Sequence, residues 1–255
     1  IQRVIKSERF SMGPEVLAFE KEFAAWHNIK YGVMVNSGSS ANLISVASLF
    51  HKNRNPLKLG DEVIVPAISW STTYTPLQQY GLKLKFVDVE LDSFNIDISK
   101  LKEAITPQTK MIVAVSILGN PAAIDQIRSF ADEHDLYFME DNCESLGAEL
   151  PCKSKTGTFG DLNTFSFFFS HHIATMEGGM VLTNDEELFH LLLSIRNHGW
   201  TRDLPESSDI FEKNEDDFFE AYRFILPGYN VRPIEMAGAI GREQLRKLPD
   251  FIRKR

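Results

Sequence analysis

The chain has 255 residues, enough to bury a core without disulfides or metals, and its 43% hydrophobic and 24% charged residues are ordinary for a globular protein. No apolar stretch approaches the roughly 18 residues of a membrane span, so a membrane protein, a collagen and a disordered tail are excluded. The net charge of −8 argues against a nucleic-acid partner. Two cysteines are too few for a cysteine-rich metal site. Together with the absence of a leading signal peptide, they indicate a reducing cytoplasm.

Short β-rich apolar runs alternate along the chain with amphipathic stretches of helical period. This alternation is typical of repeated βαβ units, and it predicts one α/β domain with a mostly parallel sheet. The predicted strands span residues 31–36, 62–66, 83–88, 111–117, 136–141, 164–168 and 179–183. The predicted helices begin near Pro14, Ser39, Ser71, Asp97, Ala122, Asp185 and Pro233.

The polar segment 201–220 and the two chain ends complete this outline. The segment predicts a long surface loop, either functional or a solvated insertion without a role. The chain begins at Ile1 inside an amphipathic segment, and the last helix runs to Arg255 without a stop signal. We therefore expect a fragment of a longer protein.

The segment 36–42, Asn-Ser-Gly-Ser-Ser-Ala-Asn, follows a predicted strand and opens a predicted helix. Small residues let backbone N–H groups approach an anion, and a helix N-terminus favours negative charge. The segment is therefore a candidate phosphate-binding turn. On its own, such a pattern is more often an ordinary tight turn.

The segment 138–144, Phe-Met-Glu-Asp-Asn-Cys-Glu, places acids at the carboxyl end of a predicted hydrophobic strand. Ligands of open parallel sheets collect at this end, so Asp141 lies where a cofactor would bind. A buried carboxylate needs a cationic partner, and a protonated pyridine nitrogen would be one. Without the other motifs, we would interpret Asp141 as an acid that caps the next helix.

The segment 164–179 carries two adjacent histidines, His171 and His172, in an irregular turn that ends in Gly178-Gly179. Adjacent residues of an extended chain point to opposite sides, so the pair is a poor chelate and we expect no metal. One histidine that faces a cleft as an acid/base is the more sensible interpretation.

In their order and spacing these segments resemble the DegT/DnrJ/EryC/StrS family of vitamin-B6-dependent sugar aminotransferases. The resemblance extends over essentially the whole chain, from the segment 13–20 to the segment 227–233 and Gln244-Leu245. It implies the fold of aspartate aminotransferase, a three-layer α/β domain with a mostly parallel central sheet. Residues 1–255 would then be the large cofactor-binding domain, and the family's small C-terminal domain would be missing.

One residue departs from the aminotransferase pattern. In those enzymes the lysine of Ser-Phe-x-x-x-Lys holds the cofactor, pyridoxal 5′-phosphate (PLP), as a Schiff base, whereas His171 occupies that position after Ser166 and Phe167. Imidazole forms no stable Schiff base with PLP. The resemblance therefore implies a noncovalently held cofactor and His171 as the catalytic acid/base.

A further resemblance is to the dehydratase members of the family. It rests on His171, on Glu144 in place of the usual Gln, and on the segment 197–202. They imply a PLP-dependent lyase that removes the C3 hydroxyl of GDP-4-keto-6-deoxymannose, in the formation of the dideoxysugar colitose for bacterial surface polysaccharides. Pyridoxamine 5′-phosphate (PMP) would condense with the C4 ketone, and L-glutamate would regenerate PMP with release of ammonia.

The nucleotide is less clearly indicated than the sugar chemistry, because the sequence carries no legible base-recognition motif. A sister enzyme for a CDP-linked sugar binds an iron–sulfur cluster through cysteines that lie mostly just after the region of His198. This chain has no cysteine after Cys152, so the GDP-sugar enzyme without a cluster is favoured.

The resemblance also assigns the cofactor-binding residues. It implies Gly38, Ser39 and Ser166 at the phosphate, Trp70 stacked on the pyridine ring, Asp141 at the ring nitrogen, Glu144 near Asp141, and Asn230 at the phosphate of the neighbouring subunit in a homodimer. Read from the sequence alone, Trp70 is a core or groove aromatic and Asn230 a turn residue. His198 and Arg202 are candidates for binding the sugar or glutamate, although His198 also fits a helix cap.

Two other functions stay open at this point. One is a nucleotide-sugar aminotransferase of the same family that works without its lysine. The other is a non-catalytic sensor or scaffold derived from the fold, because loss of the lysine alone also fits decay. Against decay, Asp141, Ser166 and the phosphate turn are all present beside an acid/base residue at the lysine position.

Overall fold

A seven-stranded sheet organises the chain, of which the computed structural model describes residues 1–254. Its strands are β1 (Tyr31–Val35), β2 (Glu62–Pro66), β3 (Lys83–Val87), β4 (Thr109–Val115), β5 (Tyr137–Asp141), β6 (Leu162–Ser166) and β7 (Gly179–Thr183). They lie in the order β1-β7-β6-β5-β4-β2-β3. β7 runs antiparallel to β1 and β6, and the pairs from β6 to β3 are parallel, so the predicted mostly parallel sheet is confirmed.

Nine α-helices accompany the sheet within residues 1–254. They are α1 (Gln2–Ser7), α2 (Pro14–His27), α3 (Gly38–Leu49), α4 (Ser71–Gln79), α5 (Ile98–Ala104), α6 (Ile124–Glu133), α7 (Glu186–Arg196), α8 (Asp217–Ala221) and α9 (Glu235–Lys254). Every predicted strand and helix is present, and each begins within two residues of its predicted start. Side-chain caps explain three of these starts, because Ser37, Asp97 and Asp185 each accept backbone N–H hydrogen bonds from the first turn that follows.

The prediction of a continuous loop over residues 201–220 is wrong. The segment contains a two-stranded hairpin, β8 (Ser207–Ser208) and β9 (Phe211–Glu212), and most of α8. Asp216 caps α8, and the Glu220 carboxylate accepts hydrogen bonds from the Thr201 hydroxyl at 3.0 Å and the Asn214 backbone N–H at 2.6 Å. These local polar contacts order a segment whose composition resembles that of a solvated loop.

Helices cover both faces of the sheet and give the predicted three layers. On one face α3 and α7 pack against alternate strand residues, among them Val33, Val63 and Met139. The opposite face is covered by α2 and α9 near β1, β6 and β7, and by α5 and α6 near β4 and β5. No helix within residues 1–254 is long and apolar enough to cross a membrane.

A buried ion pair fixes β1, the strand that leads into the candidate phosphate turn. The Arg196 guanidinium at the end of α7 donates to Glu20 Oε1 of α2 at 2.5 Å and to the Met34 carbonyl of β1 at 2.8 Å. Glu20 Oε1 also accepts the Met34 N–H at 2.7 Å. Burial raises the pKa of the Glu20 carboxyl, and the charge of Arg196 opposes that rise. Because an unpaired buried charge is costly, this pair holds α2, β1 and α7 in one arrangement.

His27 at the end of α2 is a buried histidine that the fold keeps neutral. Its Nδ1 lies 3.0 Å from the Phe23 carbonyl, and its ring packs against Phe23, Trp26 and Phe165. Burial lowers the pKa of His27 from 6.5 to about 3. In the unfolded chain His27 gains a proton below pH 6.5, whereas in the folded chain it stays neutral down to about pH 3. The free energy of unfolding therefore decreases as the pH is lowered from 6.5 to about 3.

We expect His27→Phe to weaken this acid dependence. Without the histidine, the decrease in unfolding free energy between pH 7 and pH 5 should be smaller by about 2 kcal/mol. Urea unfolding at both pH values measures it. His134→Phe is the matched control, because His134 also contacts the carbonyl of a phenylalanine four residues earlier and stacks on its ring, but is exposed. An equal effect of both substitutions would contradict the assignment to His27.

Candidate active site

A pocket of about 420 Å³ opens at the carboxyl ends of the parallel strands. Its lining includes seven of the ten predicted site residues: Gly38, Ser39, Trp70, Asp141, Glu144, Ser166 and His171. Open parallel sheets bind their ligands at this edge, because strand ends and helix N-termini converge there. The pocket is therefore the candidate active site.

The turn after β1 has the geometry of an anion site. Ser37 caps α3 by accepting the Ser40 N–H at 3.1 Å, and the Ser40 hydroxyl donates to Asn36 Oδ1 at 2.6 Å. The first N–H groups of a helix have no acceptor within the helix, so those of Gly38 and Ser39 are available to a ligand. The helix dipole adds positive potential at the same place.

Two glycines let three segments meet at this turn. A Cβ on Gly38 would lie 2.5 Å from the Ser166 Cβ at the end of β6, and one on Gly179 would overlap the Ser37 carbonyl. Any larger residue at either position would separate the turn from β6 or β7. The close approach brings the Ser166 hydroxyl beside the N-terminus of α3, and this explains the second glycine of the Glu-Gly-Gly motif.

Asp141 at the end of β5 forms the floor of the pocket and is buried. Its Oδ2 accepts hydrogen bonds from the Asn42 amide at 2.9 Å and from the Thr73 hydroxyl at 2.8 Å. Its Oδ1 accepts the Cys143 backbone N–H at 3.2 Å. Neither contact was predicted, although Asn42 ends the candidate phosphate turn, because nothing in the sequence indicates contacts across 99 and 68 residues.

Cys143 is one of several lining residues that were not predicted as site residues. Burial raises the pKa of its thiol, and the neighbouring Asp141 and Glu144 carboxylates raise it further. The thiol is therefore neutral at physiological pH.

Trp70 lies at the pocket, just before α4, with 71% of its surface exposed. Of the two interpretations from the sequence alone, a core or a groove aromatic, the structure excludes the core and places Trp70 at a groove. A large aromatic ring left open to solvent beside a buried carboxylate offers a flat apolar face to a planar ligand.

His171 lines the pocket and His172 is not among its lining residues. The expected extended segment is absent, because residues 169–173 form turns and bends. The Phe168 carbonyl accepts the His171 N–H at 3.0 Å, and the Ser166 hydroxyl oxygen accepts the Phe168 N–H at 3.3 Å. This turn folds His171 back over the pocket.

Glu144 lines the pocket but is held from another direction. Its Oε2 accepts the Leu118 N–H at 2.7 Å, from the 3₁₀ turn after β4. This contact fixes the carboxylate on the wall of the pocket, whereas Asn42, Thr73 and Cys143 supply the hydrogen bonds to Asp141.

Asn230 and Arg202 line a separate cleft of about 330 Å³, together with Arg9 and Arg232. The Arg232 guanidinium donates to Asn230 Oδ1 at 3.1 Å, and the Arg202 guanidinium lies over the Trp200 ring. His198 lines neither space. It is exposed in a left-handed conformation with φ 64°, two residues beyond α7.

The chain resembles a group of enzymes along its whole length. The DegT/DnrJ/EryC1/StrS aminotransferase family matches residues 1–255. The GDP-4-keto-6-deoxy-D-mannose 3-dehydratase of Yersinia pseudotuberculosis is 58% identical over 256 residues, which cover 100% of this chain and 65% of that protein. The chain therefore spans about 65% of the length of this relative.

Two crystal structures of GDP-4-keto-6-deoxymannose-3-dehydratase share the fold at 55% identity. One, a mutant with bound GDP-perosamine, gives a TM-score of 0.95 over 99% of this chain and 65% of the other. The second holds a trapped PLP-glutamate geminal diamine and gives a TM-score of 0.94 over 97% and 64%. The fold is thus that of the PLP-dependent aminotransferases, and the chain belongs to the DegT/DnrJ/EryC1/StrS aminotransferase family.

Proposed function

We propose that this chain carries the cofactor site of a PLP- and PMP-dependent 3-dehydratase for GDP-4-keto-6-deoxymannose. The observation that carries the proposal is the histidine at the position of the aminotransferase lysine, in the same pocket as Asp141 and the phosphate turn. The 58% identity to such a dehydratase supports it. The two unpaired cysteines are in keeping with work in the cytoplasm.

The pocket residues fit a pyridoxal phosphate. Gly38 and Ser39 would bind the phosphate through the α3 N-terminus, with the Ser166 hydroxyl beside them. Trp70 would stack on the ring, and the buried carboxylate of Asp141 would meet the ring nitrogen. Glu144 on the pocket wall would lie beside the ring. The absence of a Cβ on Gly38 lets the Ser166 side chain lie directly beside this turn.

When bound, the cofactor supplies an amine for the C4 ketone and a ring that accepts electrons. His171 would accept a proton on its imidazole and donate it, as imidazolium, to the departing C3 hydroxyl. In the net reaction the sugar loses its C3 oxygen, L-glutamate is oxidised to 2-oxoglutarate, and ammonia is released. The Asp141 carboxylate would face the ring nitrogen, and the neutral Cys143 thiol would add no charge beside it.

We expect His171→Asn to abolish dehydration and His172→Asn to leave most of it. Imidazole at position 171 is the only acid/base that this proposal gives to the reaction, and loss of such a group costs roughly 10²–10⁴-fold. The 3-deoxy product and released ammonia, measured with PLP, glutamate and the GDP-sugar, report the rate. Loss of dehydration in His172→Asn alone would move the catalytic role by one residue.

The same variants separate the dehydratase from an aminotransferase. His171→Lys should bind PLP covalently, so borohydride treatment and mass spectrometry should find a reduced adduct at residue 171 and none in the native protein. Dehydration should collapse in this variant, whereas the reaction with glutamate persists. A reduced adduct in residues 166–179 of the native protein, or an aminosugar without ammonia release, would contradict the proposal.

The arginine cleft is a candidate substrate site. We propose that Arg202 contacts the substrate there; His198, which does not line the cleft, receives no role in this proposal. Three guanidinium groups in one cleft, Arg9, Arg202 and Arg232, give local positive charge on a chain of net charge −8. A nucleotide sugar carries its negative charge on a diphosphate, which arginine binds well.

Arg202→Ala should raise KM for the GDP-sugar about tenfold or more, because a hydrogen bond between charged groups is lost. The dissociation constant of PLP should not change, since Arg202 lies outside the cofactor pocket. Steady-state kinetics and PLP titration measure the two. Arg246→Ala, an exposed arginine of α9, is the control. A loss of PLP binding in Arg202→Ala would place Arg202 at the cofactor instead.

We also propose a homodimer in which Asn230 completes the phosphate site of the partner subunit. Asn230 is exposed, lies outside the pocket of its own chain and sits beside Arg232. Large apolar side chains are exposed around the pocket: Leu118, Phe169 and Met176 are 81%, 75% and 61% exposed. This exposure supports a dimer in which the partner subunit covers that face.

Mixed dimers test the shared site. In a heterodimer of Asp141→Asn and Asn230→Ala chains, one pocket carries both changes and the other carries neither. Random mixing of the two weakly active variants should therefore restore about one quarter of the native activity. Refolding or co-expression followed by the ammonia assay measures it. No recovery in proven heterodimers would place Asn230 and Asp141 at the same pocket of one chain.

A further inference from the structure

The two oxygens of Asp141 have unequal surroundings. Oδ2 accepts two side-chain hydrogen bonds, from the Asn42 amide at 2.9 Å and the Thr73 hydroxyl at 2.8 Å. Oδ1 accepts the Cys143 backbone N–H at 3.2 Å, and the Cys143 thiol is a further, weak donor to the same carboxylate. Because a carboxylate oxygen commonly accepts two hydrogen bonds, Oδ2 has its full set of nitrogen and oxygen donors, whereas Oδ1 has one and can accept a second from a ligand.

The orientation of Asn42 is fixed by its other partner. Its Oδ1 accepts the Thr164 hydroxyl proton at 2.6 Å, and its amide donates both to Asp141 and to the Thr72 carbonyl at 3.1 Å. A flipped amide would turn an oxygen toward the carboxylate and the carbonyl, and both contacts would become repulsive. Asn42 is 1% exposed and does not line the pocket.

The hydrogen bonds that link Ser69, Thr73 and Asp141 allow only one assignment of donors and acceptors. Its hydroxyl lies 2.8 Å from Ser69 Oγ and 2.8 Å from Asp141 Oδ2. An ionised carboxylate accepts only, so the Thr73 proton goes to Asp141 and Ser69 donates to Thr73. Both donors to Oδ2 are therefore oriented before any ligand arrives.

We propose that Asn42 is a positioning residue, with Thr73 as its co-donor, that saturates Oδ2 and presents Oδ1 of Asp141 to the ring nitrogen of the cofactor. The inference rests on the proposed PLP site. Asn42 does not line the pocket, and it contacts the lining through the Asp141 carboxylate and the Thr72 backbone carbonyl; only the contact with Asp141 bears on the ring nitrogen. A preoriented carboxylate binds a protonated nitrogen without reorganisation, which strengthens the contact.

The test compares PLP with 1-deaza-pyridoxal phosphate, an analogue in which a C–H replaces the ring nitrogen. Asn42→Leu keeps the side-chain shape and removes the donor. We expect the dissociation constant of PLP, measured by calorimetry, to rise about tenfold. That of the analogue should stay within twofold, since it makes no hydrogen bond to Asp141. Thr73→Val should likewise raise the dissociation constant of PLP more than that of the analogue.

Ser45→Ala is the matched control. Ser45 is a fully buried polar residue of the same helix, and its hydroxyl has no hydrogen-bond partner within the described residues. It should leave both dissociation constants unchanged. Urea unfolding of each variant checks the fold.

Three results would overturn the inference. Equal weakening of PLP and the analogue by Asn42→Leu would mean a general effect on the pocket. Unchanged binding of both would mean that Asp141 needs no such positioning. Failure of the native protein to bind PLP at all would instead reject the proposed cofactor, and the inference with it, so the two failures are distinguishable.

Discussion

The arrangement of the molecule depends on one constraint: a carboxylate removed from water must find donors in the protein. Glu140 and Asp141 are consecutive residues of β5 and point to opposite faces of the sheet. Glu140 accepts the N–H groups of Gly157, Phe159 and Gly160 at 2.7–2.8 Å. Burial raises the pKa of Glu140, and these three hydrogen bonds oppose the rise. The carboxylate thereby fixes the segment that enters β6.

The consequences of this constraint meet at the pocket. Glu140 fixes the start of β6, whose last residue is Ser166, while Asp141 ties β5 to α3 and α4 through Asn42 and Thr73. At the β1 edge of the sheet, Glu20 and Arg196 hold β1, which ends at the candidate phosphate turn. Each buried acid therefore positions a different wall, and the walls converge because parallel strands end at the same edge.

Many helix starts and the candidate phosphate turn could be predicted from the sequence, because the residues that determine them are local. The starts of α3, α5 and α7 follow from capping residues adjacent in sequence, and the turn at 36–42 follows from small residues between a strand and a helix. The partner of Glu144, the Leu118 N–H, and the donors of Asp141 depend on tertiary folding, so no local pattern reveals them. The hairpin in 201–220 escaped prediction because its strands have only two residues each.

In the proposed function, a histidine at the lysine position, His171, changes what the rest of the pocket must do. A covalent link retains a cofactor regardless of how well its ring and phosphate are held, whereas noncovalent retention depends on those contacts alone. The rigid elements of this pocket meet that demand: the cap at Ser37, the glycine contact with β6, and the saturated Oδ2 of Asp141 are all in place within the protein alone. Preorganisation reduces the entropy lost on binding. An imidazole that forms no bond to the cofactor is therefore compatible with a bound cofactor, and it remains available to move protons.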